Sequence, residues 1–216
     1  MALFGGSKKE TTSVVGSVSN DSVNSATIIT QGSKISGDIE SIDTVHVDGI
    51  VNGNITVNNT VVVGKQGSVN GNIKAQKVIC NGKVDGYVEC LDIEIMQDAE
   101  VSYKIASKTV IINGSFEGEI LGEKVLVDTH GSVQNKIQAK DIVIKGAFVG
   151  DLACELLTTK VSGKLKGNMY VKNILNEGGL VEGAIGQYKN LFEQAEPQRI
   201  EAESQGASTS EPSVEE

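Results

Sequence analysis

The chain has 216 residues and a formal net charge of −9, with 25 glycines, 2 prolines, no tryptophan and 4% aromatic residues. That length suffices for one large domain or two small ones around an apolar core. The acidic balance, without a local basic stripe, argues against nucleic-acid binding of the electrostatic kind. Abundant valine and isoleucine favour extended chain, and the scarcity of aromatics favours a narrow interior of small branched side chains.

The cysteine content and the hydropathy of the sequence indicate the cellular compartment of the protein. The 3 cysteines are scattered without a C-x-x-C pair, so neither a disulfide framework nor a zinc site is indicated, and a reducing compartment fits. No apolar run approaches the roughly 20 residues of a transmembrane helix. The N-terminus also lacks the apolar segment, about 7–15 residues long, of a secretory signal. We therefore expect a cytoplasmic protein that needs no cofactor or metal.

The N-terminal tail, residues 1–26, has an apolar tip, a Gly-Gly hinge and a pair of lysines before a Ser- and Thr-rich linker. Such a tip is typical either of a short membrane-targeting segment or of an unstructured terminus. Several copies in an array would bind a membrane firmly through avidity even if one copy bound marginally. The candidate membrane-targeting residues are Met1, Leu3, Phe4, Lys8 and Lys9.

Residues 27–186 consist of a degenerate repeat. The segment Gly49–Ile55, with sequence GIVNGNI, returns as GSVNGNI at Gly67–Ile73 and more loosely elsewhere. Two residues before and two residues after each repeat centre the side chain is always apolar, and four residues before it the side chain is always small. The ten centres are Gly37, Gly53, Gly71, Gly86, Tyr103, Gly118, Asn135, Gly150, Gly167 and Gly183.

This alternation has period 2 and therefore predicts strands. A second apolar pair lies upstream in most repeats, as in Val45 and Val47, so each repeat of roughly 16 residues predicts about three short strands joined by tight corners. The unit is too short for a propeller blade and lacks the helical period of a leucine-rich repeat. We predict an all-β fold, a single-stranded β-helix (solenoid) of about ten coils stacked at about 4.8 Å, with disordered termini.

Two repeats depart from the glycine pattern, and the C-terminus changes character. Asn135 tolerates a left-handed corner, whereas Tyr103 predicts a local change of corner. After Ile185, residues 187–194 show helical spacing that predicts a short helix or cap over the last coil. The rest of residues 187–216 is acidic and Ser-rich, which is typical of disorder.

The remaining chemistry-bearing side chains favour structural roles. The cysteines fall in ladder positions and are expected to be buried. His46 should face solvent between two inward valines, and His130 precedes Gly131 in an enlarged corner. Solenoid acyltransferases and carbonic anhydrases need histidine as base or zinc ligand, so this shortage disfavours an enzyme. No phosphate-binding loop is present.

These repeats resemble those of the bactofilins, the bacterial polymer-forming cytoskeletal proteins. The segments that carry the resemblance are 32–39, 45–55 and 67–73, together with the Met-Ala-Leu-Phe opening. The resemblance implies a right-handed β-helix that assembles end to end into filaments without nucleotide at the inner face of the membrane. It also implies scaffolding of cell shape, wall synthesis or appendage placement, with wall-synthesis or appendage proteins as partners. The family's rod often has nearer six coils than ten.

A β-helix has two open ends, and unpaired strand edges propagate into fibres unless they are blocked. No proline- or charge-rich blocker precedes the first coil. We therefore predict that the protein is its own partner, through a polymerisation interface formed by Ile28, Ile29, Ile35, Ile39, Leu180, Val181 and Ile185. Two alternatives remain open: a non-polymerising solenoid binding module, as in the β-helical part of a division-site inhibitor, and a trimeric solenoid enzyme.

Overall fold

Apolar side chains at every second position require each strand to bury one face, and the chain satisfies this by winding around its own interior. The computed structural model describes residues 26–191, and within them it is all-β with no helix. The strands are β1 (Ala26–Ile29), β2 (Lys34–Ser36), β3 (Ile39–Ser41), β4 (Thr44–Val47), β5 (Ile50–Asn52), β6 (Ile55–Val57), β7 (Thr60–Val63), β8 (Ser68–Asn70), β9 (Ile73–Lys74), β10 (Lys77–Cys80), β11 (Lys83–Ile95), β12 (Glu100–Ile112), β13 (Ser115–Val127), β14 (Ser132–Gln138), β15 (Asp141–Ile144), β16 (Ala147–Thr159), β17 (Lys164–Asn176), β18 (Leu180–Glu182) and β19 (Ile185–Gln187).

Every strand pairs in parallel with the equivalent strand of the next coil, so the coils stack as a solenoid. In the first coil, β1, β2 and β3 form three sides, which we call the first, second and third side. They pair with β4, β5 and β6, respectively. The pairing continues without a break to β17, which carries β18 and β19. The predicted solenoid of about ten coils is therefore confirmed as one continuous rod.

The core consists of columns of like residues that run along the rod. On the first side, Val45 and Val47 are fully buried and begin two such columns. On the second and third sides, Val51 and Ile55 begin two more. Phe116 and Phe148 are the largest side chains in the column of Val51, and both are fully buried. The interior is narrow because it is filled mainly by branched side chains that stack on copies of themselves.

The corner between the second and third sides requires positive φ and a close approach of neighbouring coils. Gly53 has a φ of +155°, and a Cβ there would collide with the carbonyl oxygen of Gly37 in the coil below. Glycine is the residue that tolerates both demands. Asn135 and Tyr103 keep the corner with φ values of 101° and 94°. The local change predicted at Tyr103 is a smaller φ than that of the corner glycines. The register is unchanged, because Tyr103 pairs with Gly86 and Gly118.

Later coils differ from the expected three short strands. From β11 onward a single strand often runs for 13 residues through two corners. The reason is that residues at these corners keep their pairing with both neighbouring coils, as Tyr103 and Gly118 do. The sides are unchanged, and the corners bend the strand without ending it.

The chain after β19 does not form the predicted helix or cap within the described residues. Residues 188–191 are irregular and turn back along the third side. The backbone N–H of Leu191 donates to Oε1 of Gln138 at 2.7 Å. The ammonium of Lys189 lies 3.9 Å from the ring centre of Tyr170. The segment therefore packs beside the rod, and the remainder of the predicted cap and acidic tail, residues 192–216, lies outside the described residues.

The strained corner at Tyr103 gives a stability prediction. Tyr103 is 65% exposed, so its side chain contributes little packing. We expect Tyr103→Gly to raise the free energy of unfolding by about 1 kcal/mol, because relief of the left-handed strain exceeds the entropy cost of glycine. Ser102→Gly is the matched control and should lower the free energy by about 0.5–1 kcal/mol. Guanidinium unfolding followed by circular dichroism measures both, and a Tyr103→Gly protein less stable than wild type would contradict the assignment of strain.

Candidate functional site

The two ends of the rod expose strand edges that the described residues do not pair. At the N-terminal end, β1, β2 and β3 each pair only with the coil above, through β4, β5 and β6. At the C-terminal end, β18 and β19 pair only with β17. Each end therefore presents a row of backbone N–H and C=O groups suited to further β-pairing.

Three isoleucines face the interior of the N-terminal coil. Ile29 is buried at 4% exposure, whereas Ile35 and Ile39 are only partly buried although they pack against the core. They continue the columns of Val47, Val51 and Ile55. Ile28 differs from them: it is 64% exposed and stands in register with His46 on the outer face. Strand alternation directs Ile28 away from the apolar cross-section, and its part in the interface stays a prediction.

The C-terminal coil repeats this arrangement. Val181 stacks on Leu165 and is partly buried, and Ile185 stacks on Met169 and is 61% exposed. Leu180 is in register with the outward Lys164 and is 55% exposed, so it also lies outside the cross-section. Ile174, which continues the column of Leu157, is the inward residue that the sequence-based interface omitted. Extending the Val45 column by one more coil would have identified it.

Each cross-section is apolar at three inward positions and polar at two. The polar positions are Thr27 and Ser41 at the N-terminal end and Asn176 and Gln187 at the C-terminal end. Oδ1 of Asn176 accepts hydrogen bonds from the backbone N–H groups of Gly178 and Gly179 at 3.1 and 2.8 Å. This amide therefore closes the last corner of its own coil. The apolar patch that remains on each end is formed by three branched side chains.

The outer sides carry ladders of lysine and carboxylate side chains of mixed sign. Lys83 bonds Glu100 at 2.7 Å and Lys172 bonds Glu155 at 2.8 Å, each across one coil spacing. The Lys172 contact lowers the pKa of the Glu155 carboxyl and raises that of the lysine, chiefly through their hydrogen bond. Both side chains are exposed, so such pairs contribute little stability. They keep most of the rod's surface polar.

The cysteines and histidines do not form a catalytic or metal cluster in the described part of the chain. The prediction of buried cysteines is confirmed: Cys80 and Cys154 are 0% exposed and Cys90 is 8% exposed. Burial raises the pKa of Cys80 and Cys154 to about 12 and that of Cys90 to about 11. His46 lies on the outer face as predicted, with Nε2 3.1 Å from Oδ2 of Asp48.

The candidate membrane-targeting residues, Met1, Leu3, Phe4, Lys8 and Lys9, lie outside the described residues. Within residues 26–191 there is no helix of the length and hydropathy needed to cross a membrane. The membrane hypothesis therefore depends on the sequence of the tail alone.

A continuous parallel solenoid with unpaired strands at both described ends defines the class of protein: a β-solenoid with open ends. The family model described as "Bactofilin: Polymer-forming cytoskeletal" matches the chain twice, over residues 27–112 and 102–186. The chain belongs to the bactofilin family of polymer-forming cytoskeletal proteins, which is a structural family and not an enzyme family. No match was found among the curated proteins or among the solved structures. The two matches overlap at residues 102–112 and together cover one uninterrupted rod, which fits a coil number above the six expected of the family.

The buried cysteines give a prediction about thiol reactivity. Only a thiolate attacks a disulfide reagent readily, and burial keeps these thiols protonated and inaccessible. We expect no reaction of the native protein with Ellman's reagent at pH 8 and reaction of all 3 cysteines after unfolding in guanidinium. Their contribution to stability should decline as pH rises from about 9 toward 12, because the unfolded thiols ionise first. Rapid labelling of the native protein would contradict the buried placement.

Proposed function

We propose that this protein assembles end to end into nucleotide-independent filaments and serves as a cytoskeletal scaffold at the inner face of the bacterial membrane. The observation that carries the proposal is the pair of open ends, each with unpaired strand edges around an apolar patch. Membership of a polymer-forming family supports it. Contact between ends would pair backbone groups and remove the exposed isoleucines from water in one step.

The placement of the C-terminal segment also supports end-to-end assembly. Residues 188–191 lie along the third side, with Leu191 bonded to Gln138. Gln138 belongs to a coil three levels below the last one, as the register Gln138–Ala153–Tyr170–Gly186 indicates. The described part of the tail therefore leaves the last cross-section open to a neighbouring rod.

A charge placed in either cross-section should prevent assembly. We expect Ile35→Glu and Val181→Glu to raise the concentration needed for filament formation at least about tenfold, because a joint would bury an uncompensated carboxylate. Negative-stain microscopy and sedimentation measure the change. Ile50→Glu is the control: Ile50 lies one coil above Ile35 but points outward in register with Lys34, so filaments should persist.

Circular dichroism verifies that the rod of each variant still folds. Abundant filaments of both end variants would refute assembly through these cross-sections. Loss of filaments in the Ile50→Glu control as well would indicate that the sides, and not the ends, carry the assembly.

Membrane attachment is proposed to depend on the N-terminal tip. Leu3 and Phe4 would each contribute roughly 1.5–3 kcal/mol if fully buried in lipid, and Lys8 and Lys9 about 1 kcal/mol each near anionic headgroups. A filament presents many such tips at once, so the sum would hold the polymer firmly. Cell shape, wall synthesis and appendage placement are the processes that such a membrane-bound scaffold would serve, through docked wall-synthesis or appendage proteins.

Deletion of residues 2–4 tests the membrane proposal separately. We expect the truncated protein to form filaments as wild type does but to lose flotation with anionic liposomes, because the apolar anchor is absent. The double variant Val14→Ser and Val15→Ser changes apolar residues in the same tail and should float as wild type does. Unchanged flotation of the deletion protein would remove the N-terminal tip as the anchor.

A further inference from the structure

The first side of the rod has an outer face that is unusually apolar for a solvated surface. Two outward columns run along it, one beginning at Ala26 and one at Ile28. The second column, which we call the apolar stripe, is interrupted by His46, Glu94 and Thr158, and its other members are Ile28, Val62, Ile79, Ile111, Leu126, Val143 and Leu175. On the second side, the equivalent column contains Asn52, Asn70, Asp85, Ser102 and Glu117. The corresponding column of the second side is therefore mainly polar, with Val149 as its apolar member.

The face around Ile111, Leu126 and Val143 forms a shallow apolar groove. Nine coils of the first side, about 13 Å wide and about 43 Å long, have a footprint of about 560 Å². The apolar stripe is one of the two outward columns of this face, so about half of the footprint, roughly 280 Å², belongs to it. Contact with a second rod would bury about 1,100 Å² in total, which reaches the area of a specific interface.

We propose that the first side is a lateral interface on which two antiparallel copies of this chain pair face to face. The two-fold axis passes through the coil of Ile111 and runs along the strand direction. In this arrangement Ile111 meets Ile111 of the second copy, and Ile79 meets Val143. The contact is independent of the end-to-end joint and would combine single filaments into pairs.

The distribution of charge selects this orientation. With the axis at Ile111, Asp92 faces Lys124 of the second copy, and Lys77 faces Asp141. No ion pair within the described chain holds Asp92, Lys124 or Asp141, so these charges are available for such contacts. Glu94 lies in the apolar stripe and faces Leu126 of the second copy, and it keeps its bond to Lys77 at 3.2 Å. Complementary charge of this kind fixes orientation more than it adds affinity.

A parallel pair of rods fits poorly. A two-fold axis along the rod would bring the first outward column of one copy against the second column of the other, coil for coil. Asp92 would then face Glu94, and Lys124 would face Leu126. The like charges of Asp92 and Glu94 in contact disfavour that orientation.

A membrane is a less suitable occupant of this face. Its outward charged residues are Lys77, Asp92, Glu94, Lys124 and Asp141, which sum to two positive and three negative charges with His46 neutral. A surface that lies on anionic lipid is typically rich in lysine and arginine and carries aromatic residues. The first side has neither property, which favours a second copy.

Crosslinking through single introduced cysteines tests the interface and its orientation. Thr109 lies on the first outward column in the coil of the axis, so its two copies would face each other across sheets about 10 Å apart. Thr44 lies four coils away, and its copies would be about 38 Å apart in the antiparallel pair. We expect a short bismaleimide to join Thr109→Cys proteins into dimers and to leave Thr44→Cys proteins and wild type as monomers, since the native thiols are buried.

The outcomes separate this proposal from the end-to-end one. Thr109 is at least four coils, about 20 Å, from either end, so an end joint does not bring its copies together. Dimers of both variants would show parallel rods and refute the antiparallel register. Absence of Thr109→Cys dimers would refute the lateral interface. If Leu126→Glu also reduced flotation with liposomes in that case, the first side would be a lipid-contacting face.

Two further substitutions in the Thr109→Cys protein examine the chemistry of the face. Leu126→Glu should lower the dimer yield at least about tenfold, because it buries an unpaired carboxylate in the interface. Val149→Glu, at an outward position of the second side that is 51% exposed, should leave the yield unchanged. Asp92→Lys should lower the yield, and adding Lys124→Asp should restore it. Failure of that restoration would contradict the Asp92–Lys124 contact.

Discussion

The requirement that each coil pair its backbone with the next coil in a fixed parallel register governs this structure. Because the register is fixed, residues at equivalent positions stack on one another, as Val45, Val61 and Val78 do. A side chain that suits the interior in one coil must suit it in all of them. The same stacking brings corner backbones so close that Gly53 leaves no room for a Cβ. The narrow composition of the chain, poor in aromatics and rich in glycine, follows from this constraint.

A stack of this kind has no built-in length limit, because the backbone N–H and C=O groups of every coil pair with a coil above and a coil below. The terminal coils are the places where this pairing is incomplete, and there Ile39 and Ile185 are more exposed than the residues that they continue. A protein that had to remain monomeric would place a cap over such ends. In this chain the described C-terminal segment lies along the third side instead. The proposed end-to-end assembly therefore has a direct physical basis in these ends.

The outer faces are under weaker constraint, because any polar residue can project into water. Ladders of alternating charge occupy much of the surface, and the pairs Lys83–Glu100 and Lys160–Glu177 are typical. An apolar column at outward positions has no such general explanation. The stripe through Ile111 and Leu126 therefore points to contact with another surface, and the charges in the column beside it complement those of a second, antiparallel copy. Ends and sides would then supply two separate modes of assembly.

The sequence by itself determined the solenoid, the number of coils, the inward columns and the buried cysteines, because period-2 alternation and glycine spacing are local properties that repeat. It also placed Ile35, Ile39, Val181 and Ile185 in the terminal coils. Only the tertiary structure decided which terminal residues face inward, since the register of β1 turns Ile28 outward and that of β17 turns Ile174 inward. It alone showed that residues 188–191 lie beside the rod, because the bond between Leu191 and Gln138 joins residues 53 positions apart. The apolar stripe likewise emerges only when coils are stacked, since its members are some 15–18 residues apart along the chain.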